Sequence, residues 1–228
     1  MGGPYRPGAP GVLPDNGAFP NSAAVPEALY RSLVWLDVRL GVLFAVALPL
    51  VLLVWAQLRQ EGAVLRLLGL YWKVASLMVI ALLLLTDRRP MGYVLLVVAP
   101  LLIVAGLWFW VDLNEELADL PPWRPLPLTV RIWRWSLTLH SLLTAALATT
   151  ALACLGGVGR LPQCPPWLEA PGLLHGGVAR VFGFIFGGQW TPAVAAFVGY
   201  VALAAYGVGL LQWLLVRLPR QGRVAGEF

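Results

Sequence analysis

The chain has 228 residues, of which 59% are apolar and only 12% are charged, and its mean hydropathy is +0.77. A soluble domain is about 45–50% apolar and about 25% charged, so this composition argues against a soluble globular domain and for an integral membrane protein in a lipid bilayer. The net charge of +5 comes from basic residues that stand singly or in pairs beside apolar runs. That pattern is typical of membrane-flanking anchors and argues against nucleic-acid binding.

The segment 1–30 is rich in Pro and Gly and lacks the apolar region of a signal peptide, so we predict a flexible tail there. Beyond it, five stretches are long and apolar enough to cross a bilayer as helices. They predict an all-α, polytopic transmembrane bundle of about five spans, in one domain over residues 31–223, followed by a short tail at 224–228. The predicted spans are 40–58, 67–86, 91–111, 135–155 and 192–216.

Two prolines and one short turn shape these spans. Pro49 and Pro100 fall inside the first and third spans, and each is expected to kink its helix where neighbours satisfy the freed carbonyl. Only the residues from Asp87 to Pro90 separate the second and third spans, which predicts a tight turn and an antiparallel hairpin.

The segment 172–190 is apolar but short, Gly-rich and interrupted by Arg180. A helix that lies at the membrane interface is the favoured interpretation, and a sixth span is the alternative. With five spans the termini face opposite sides, and basic residues divide eight against seven in favour of a cytoplasmic C-terminus.

Two cysteines, Cys154 and Cys164, fall on the predicted outer side, ten residues apart. A disulfide between them would require an oxidising compartment and would support that orientation. A buried small side chain at Cys154 with a free thiol at Cys164 is the equally weighted alternative.

The segment LWFWVDLNEELADLPP carries acidic residues at positions i, i+3, i+4 and i+7, which share one face if the third helix continues past the membrane. We expect something to compensate their repulsion: Arg131 and Arg134 at a solvated helix end, a basic partner protein, or a divalent cation bound with Asn114. The predicted stripe consists of Asp112, Glu115, Glu116 and Asp119.

A few polar or aromatic residues in the spans are candidates for chemistry. His140 in the fourth span is expected to be structural, with tetrapyrrole ligation as the alternative. The eleven Trp residues cluster at span ends, which favours an aromatic belt over stacking on a pigment or quinone. The side chain of Lys73 is expected to extend to the membrane surface, and Asp37 is expected at a helix end. The spans would then contain no series of ionisable side chains that could pass an ion or proton across the bilayer.

Small residues recur at four-residue spacing in the last span, as Ala195/Gly199 and Ala205/Gly209. Such pairs let helices approach closely, either within the bundle or with a partner helix. The sequence contains no HExxH, P-loop, GxSxG or metal-spaced Cys/His motif, so we expect no enzymatic activity.

Several segments carry a family resemblance: LVWLDVRLGVLF, LLGLYWKVASL, LWFWVDLNEELADLPP, RIWRWSLTL, CPPWLEAP and LPRQGR. Together they resemble an uncharacterised integral membrane family of cyanobacteria, a domain-of-unknown-function family. The resemblance implies a thylakoid or plasma membrane as the location, and it implies no activity or ligand.

The sequence therefore predicts a non-enzymatic accessory, assembly or stabilising factor for a membrane complex, photosynthetic or respiratory. A small membrane transporter or channel is the alternative, and a membrane enzyme or cofactor carrier is the weakest candidate.

Overall fold

The computed structural model describes residues 27–121, 123–156, 161 and 163–222, and within them every regular element is helical. Within these residues five helices are long and apolar enough to cross a membrane, which confirms the predicted all-α polytopic bundle. The seven helices are α1 (Glu27–Arg59), α2 (Gly62–Thr86), α3 (Pro90–Trp108), α4 (Val111–Asp119), α5 (Pro125–Gly156, ending in a 3-10 turn over Thr149–Gly156), α6 (Pro165–Phe186) and α7 (Pro192–Arg220).

The first helix is longer than predicted. It begins at Glu27, so residues 27–30 belong to α1 and the predicted tail boundary at residue 30 is wrong; the predicted tails at 1–26 and 224–228 lie outside the described residues. At 33 residues, α1 exceeds the roughly 20 residues that a bilayer requires. Asp37 therefore lies inside a continuous helix, and its expected position at a helix end is wrong.

The proline in α1 is accommodated by a π-helical turn over Val42–Ala47. Pro49 has no N–H and cannot bond the carbonyl of Ala45, four residues earlier. The hydroxyl of Tyr71 on α2 donates to that carbonyl, and Nε1 of Trp133 on α5 donates to the carbonyl of Phe44 at 2.9 Å. Neighbouring helices thus satisfy backbone groups that the irregular turn exposes.

Helices α2 and α3 form an antiparallel hairpin at the centre of the bundle, and this pair has the most extensive packing in the described chain. Arg88 adopts φ 56° in the turn, and Asp87 accepts a hydrogen bond from Arg89 Nε at 2.7 Å. The helices meet closely at Gly92, where a Cβ would stand only 2.8 Å from Leu85 Cγ. Glycine is needed there because backbone and side chain are already in contact.

Helix α6 occupies the segment for which an interfacial helix and a sixth span were the two interpretations. We call the end of the bundle that carries Cys154, Cys164 and the α2–α3 turn the disulfide end. Pro166 and Trp167, at the start of α6, are buried at this end, and α7 also starts there, with Gly199 against Leu84. The connection from Phe186 to Pro192 spans at most about 20 Å, so α6 starts and finishes near the same end and does not cross the bundle.

Helix α7 is the most peripheral span. Its inner face packs against α2 through Ala195, Ala196 and Gly199, all buried. Near its far end Trp213 contacts the rings of Phe109 and Trp110, with centroids 5.7 Å apart in both pairs. Most of the remaining surface of α7 is exposed.

Candidate functional site

The corner between α3 and α4 is organised by one buried arginine. The third helix ends at Trp108, three residues before the predicted end at 111, and a separate helix starts at Val111. Arg134, 7% exposed, donates to the carbonyl of Leu107 at 2.6 Å and to the side-chain oxygen of Asn114. Its guanidinium also lies 4.2 Å from the ring centroid of Trp108. A cation at the C-terminal end of α3 is favourable because the terminal carbonyls carry partial negative charge.

The acidic stripe lies on α4 itself, beside an inward face formed by Leu113 and Leu117. Glu115, Glu116 and Asp119 are exposed and Asp112 is half-buried. Arg66 of α2 pairs with Glu116. Arg134, one of the two arginines named as candidates to compensate the stripe, instead donates its hydrogen bonds at the α3–α4 corner. Arg131 is exposed at the rim of a cleft of about 200 Å³ between α4 and α5.

A cation site on the stripe finds no support in the geometry. Among the residues that the structure describes, no group of three or more His, Cys, Asp or Glu side chains converges closely enough to hold a metal ion. One stripe residue, Glu116, is instead neutralised by Arg66.

A second polar group lies inside the bundle, between α1 and α5. Thr144 Oγ1 donates to Asp37 Oδ1 at 2.6 Å, and His140 Nδ1 lies 3.7 Å from the same oxygen. His140 Nε2 is 3.5 Å from Thr144 Oγ1. The side chains of Asp37 and His140 are only 14% and 10% exposed. We call these three residues the polar cluster.

The polar cluster lies within the spanning part of the bundle. Val34, one turn before Asp37, packs with Leu85 and Tyr93 beside the α2–α3 turn. Asp37 therefore lies about one helical turn, roughly 5 Å, further into the bundle from the disulfide end than Val34. An ionisable group shielded within membrane helices is costly and so marks a functional site by default.

The polar cluster borders a cavity of about 210 Å³ that is lined by residues of α1, α2, α3, α5 and α6. Most of the wall is apolar, and Tyr71, Trp72 and Trp167 contribute aromatic rings. Ser141 is a further polar side chain of α5 that lines it. An apolar cavity with a few convergent polar groups is the usual form of a small-molecule site.

The geometry at His140 does not suit a tetrapyrrole. Nδ1 faces Asp37, and Nε2 lies so near α1 that a Cβ at Gly41 would be 3.3 Å away. Pockets for drug-sized ligands measure about 300–1,000 Å³, and the cavity is smaller than that range. Sequence reasoning identified His140 but missed Asp37 and Thr144; the i, i+4 spacing of His140 and Thr144 was the available signal.

Helix α6 closes one side of the cavity and is fixed at the disulfide end. Cys154 and Cys164 form a disulfide just before α6 begins. Trp167 Nε1 donates to Tyr30 OH at 2.8 Å, and Trp35 Nε1 donates to Glu169 at 2.7 Å. These contacts attach α6 to α1 and explain why the cavity has a wall on this side.

The two small-residue pairs of α7 have different environments. Gly199, with Ala195, faces α2, and a Cβ at Gly199 would be 3.0 Å from Leu84. Ala205 and Gly209 are exposed, and a Cβ at Gly209 would meet nothing within 4 Å. One pair therefore serves packing inside the bundle, whereas the other leaves the helix backbone accessible at the outer surface.

Comparison with known proteins gives one match. The family model DUF3177, described as a protein of unknown function, matches residues 31–226 and thus all seven helices almost completely. No curated protein and no solved structure matches the chain.

Proposed function

The chain belongs to the DUF3177 family of proteins of unknown function, and we propose that it is a non-enzymatic accessory, assembly or stabilising factor for a larger membrane complex. The resemblance to a cyanobacterial family supports a photosynthetic or respiratory complex in the thylakoid or plasma membrane. The disulfide supports an orientation with the disulfide end on the oxidising side and the C-terminus in the cytoplasm.

The observation that carries this proposal is the outer face of α7. Its inner small pair is used against α2, but Ala205 and Gly209 stand on the exposed face of a span that contacts the bundle along one side. In a bilayer, helices associate through close backbone approach rather than through hydrophobicity, and small residues four apart permit that approach. The outer pair therefore suits a transmembrane helix of a partner.

The exposed carboxylates of α4 support the same role. Glu115 and Asp119 are exposed beyond the end of α3, at the opposite end of the bundle from the disulfide. Charges at the rim of an interface guide partner choice and association rate more than affinity. A partner with a basic membrane-proximal segment would match this surface.

The test is purification of the tagged full-length chain from native membranes in mild detergent. We expect a defined complex, and we expect Gly209→Leu to lose it because the added side chain blocks close approach. Gly176→Leu on α6 is the matched control, since Gly176 is also exposed and has no atom within 4 Å of its Cβ position. A solitary monomer, or a complex that Gly209→Leu leaves intact, contradicts the proposal.

A small transporter is the second candidate, and Asp37 and His140 favour it. The sequence argues against ion coupling because no acid is expected within the spans, yet Asp37 lies inside α1 and beside His140. Purified protein in liposomes with a pH-sensitive dye in the lumen would test proton movement. Flux equal to that of empty liposomes removes this candidate, whereas flux that Asp37→Asn abolishes replaces the first one.

A further inference from the structure

We propose that the cavity bordered by Asp37, His140 and Thr144 is a binding site for a membrane-dissolved phenol or quinol, a neutral aromatic ring that carries a hydroxyl group. This site goes beyond the accessory role, since it requires no partner protein. Its support comes from the size of the cavity, its polar cluster and its opening toward lipid.

The volume of the cavity and the residues of its wall favour a ligand with one aromatic ring. About 210 Å³ accommodates a substituted aromatic ring but neither a tetrapyrrole nor a complete lipid. Tyr71, Trp72 and Trp167 lie in the wall, from two different helices. Aromatic rings prefer offset or edge-to-face contacts with other rings, and such contacts stabilise a bound ring beyond the burial of its apolar surface.

The polar cluster favours a ligand that carries a hydroxyl group. The two oxygens of a carboxyl group can accept several hydrogen bonds, and Thr144 supplies one of them to Asp37. A phenolic hydroxyl can donate to the carboxyl group of Asp37, which lines the cavity. A hydrocarbon tail in the same place would leave the buried polar atoms unmatched, which is unfavourable in an apolar environment.

The cavity opens sideways toward the lipid. Val42 and Val46 of α1 and Val79 of α2 line it and are 58%, 44% and 57% exposed. These side chains lie on spanning helices, so a ligand dissolved in the bilayer can enter between α1 and α2. Entry from lipid suits a neutral ring compound better than an ion, because an ion avoids the hydrocarbon region.

The experiment compares two ring compounds that differ by one hydroxyl, tetramethylphenol and tetramethylbenzene. Each is titrated into the purified full chain in detergent, affinity is expressed per mole fraction in the micelle, and binding is followed by thermal stabilisation. We expect the wild type to prefer the phenol by about tenfold, a preference of the size that one hydrogen bond supplies. Asp37→Asn should keep tetramethylbenzene binding and reduce the preference, while Asp119→Asn, at an exposed acid on α4, should leave the preference unchanged.

Two filling variants test the location. Ala75→Phe on α2 and Ala170→Phe on α6 both add a ring to the cavity, and both should abolish binding of either compound. Ala146→Phe adds the same ring on an exposed face of α5 and should bind normally. If Ala75→Phe fails to fold, Ala170→Phe at the half-buried α6 site gives the same readout.

Several results would overturn the proposal. Equal affinity of the wild type for the two compounds would mean that the cavity takes any apolar filling, including a lipid tail. A phenol preference that Asp37→Asn leaves unchanged would place the hydroxyl elsewhere. Binding that survives in both filling variants, or no binding at all, would remove the site.

Discussion

Replacement of Arg134 by Leu should destabilise the bundle more than the same replacement of Arg131, the other arginine of α5. The residue is only 7% exposed and makes two hydrogen bonds, to Leu107 and Asn114, besides its contact with Trp108. Hydrogen bonds from a charged group contribute about 1.5–3 kcal/mol each and an interior cation–π contact about 2 kcal/mol. Relief of the desolvation of the charge offsets part of this sum, so we expect a net loss of about 3 kcal/mol in the free energy of unfolding.

The assay is equilibrium unfolding of the purified chain by SDS titration in mixed micelles, followed by far-ultraviolet circular dichroism. Arg131→Leu is the matched control, because Arg131 precedes Arg134 by one turn and is exposed; its effect should stay within about 0.5 kcal/mol. Arg134→Lys should lose about half as much as Arg134→Leu, since an ammonium group keeps the charge but lacks the planar face that contacts the Trp108 ring.

A double-mutant cycle with Asn114→Leu separates the hydrogen bond from general packing. The two substitutions should be non-additive by about 1–2 kcal/mol, because Arg134 and Asn114 are direct partners. If Arg134→Leu and Arg131→Leu had the same small effect, the buried arginine would not hold the α3–α4 corner, and the corner would owe its stability to apolar packing alone.

Three further predictions use the same unfolding assay. Tyr71→Phe leaves the Ala45 carbonyl without its donor and should lose about 1–3 kcal/mol, whereas Tyr200→Phe on the exposed side of α7 should not. The double variant Cys154→Ser, Cys164→Ser removes a loop constraint and should lose about 3 kcal/mol. Reductant should lower the free energy of unfolding of the wild type to that of the double variant and leave the double variant unchanged. Gly92→Leu should lose at least about 2 kcal/mol through collision with Leu85, and Gly69→Leu, with open space around it, should retain full stability.

The candidate sites are only partly accessible from the sequence. The acidic stripe is visible because four carboxylates recur at helical spacing within eight residues, and α4 does place them together. The partner of Glu116 is not visible, since Arg66 is 50 residues away and no local pattern connects the two. Proximity in sequence favours Arg134 instead, but its depth in the bundle directs that side chain to backbone and amide oxygens.

The polar cluster shows the same limit. Asp37 stands just before the first apolar run, and hydropathy alone therefore predicts a position at a helix end. The helix in fact begins at Glu27, and packing of Val34 against the α2–α3 hairpin places the next turn inside the bundle. His140 and Thr144 come from a helix more than 100 residues later, so only tertiary packing brings the three side chains together.

Composition and hydropathy were sufficient to predict an all-α membrane bundle with five spans, because the bilayer requires long apolar segments whose backbone bonds are satisfied within each helix. Helix ends, the separate α4 and the course of α6 depend on tertiary contacts, which are not encoded in local hydropathy. The same contacts create the cavity and separate the inner from the outer small pair of α7. The apolar composition that a bilayer requires is enough to locate the spans in the sequence. The few polar side chains between the spans are positioned by contacts with residues far away along the chain.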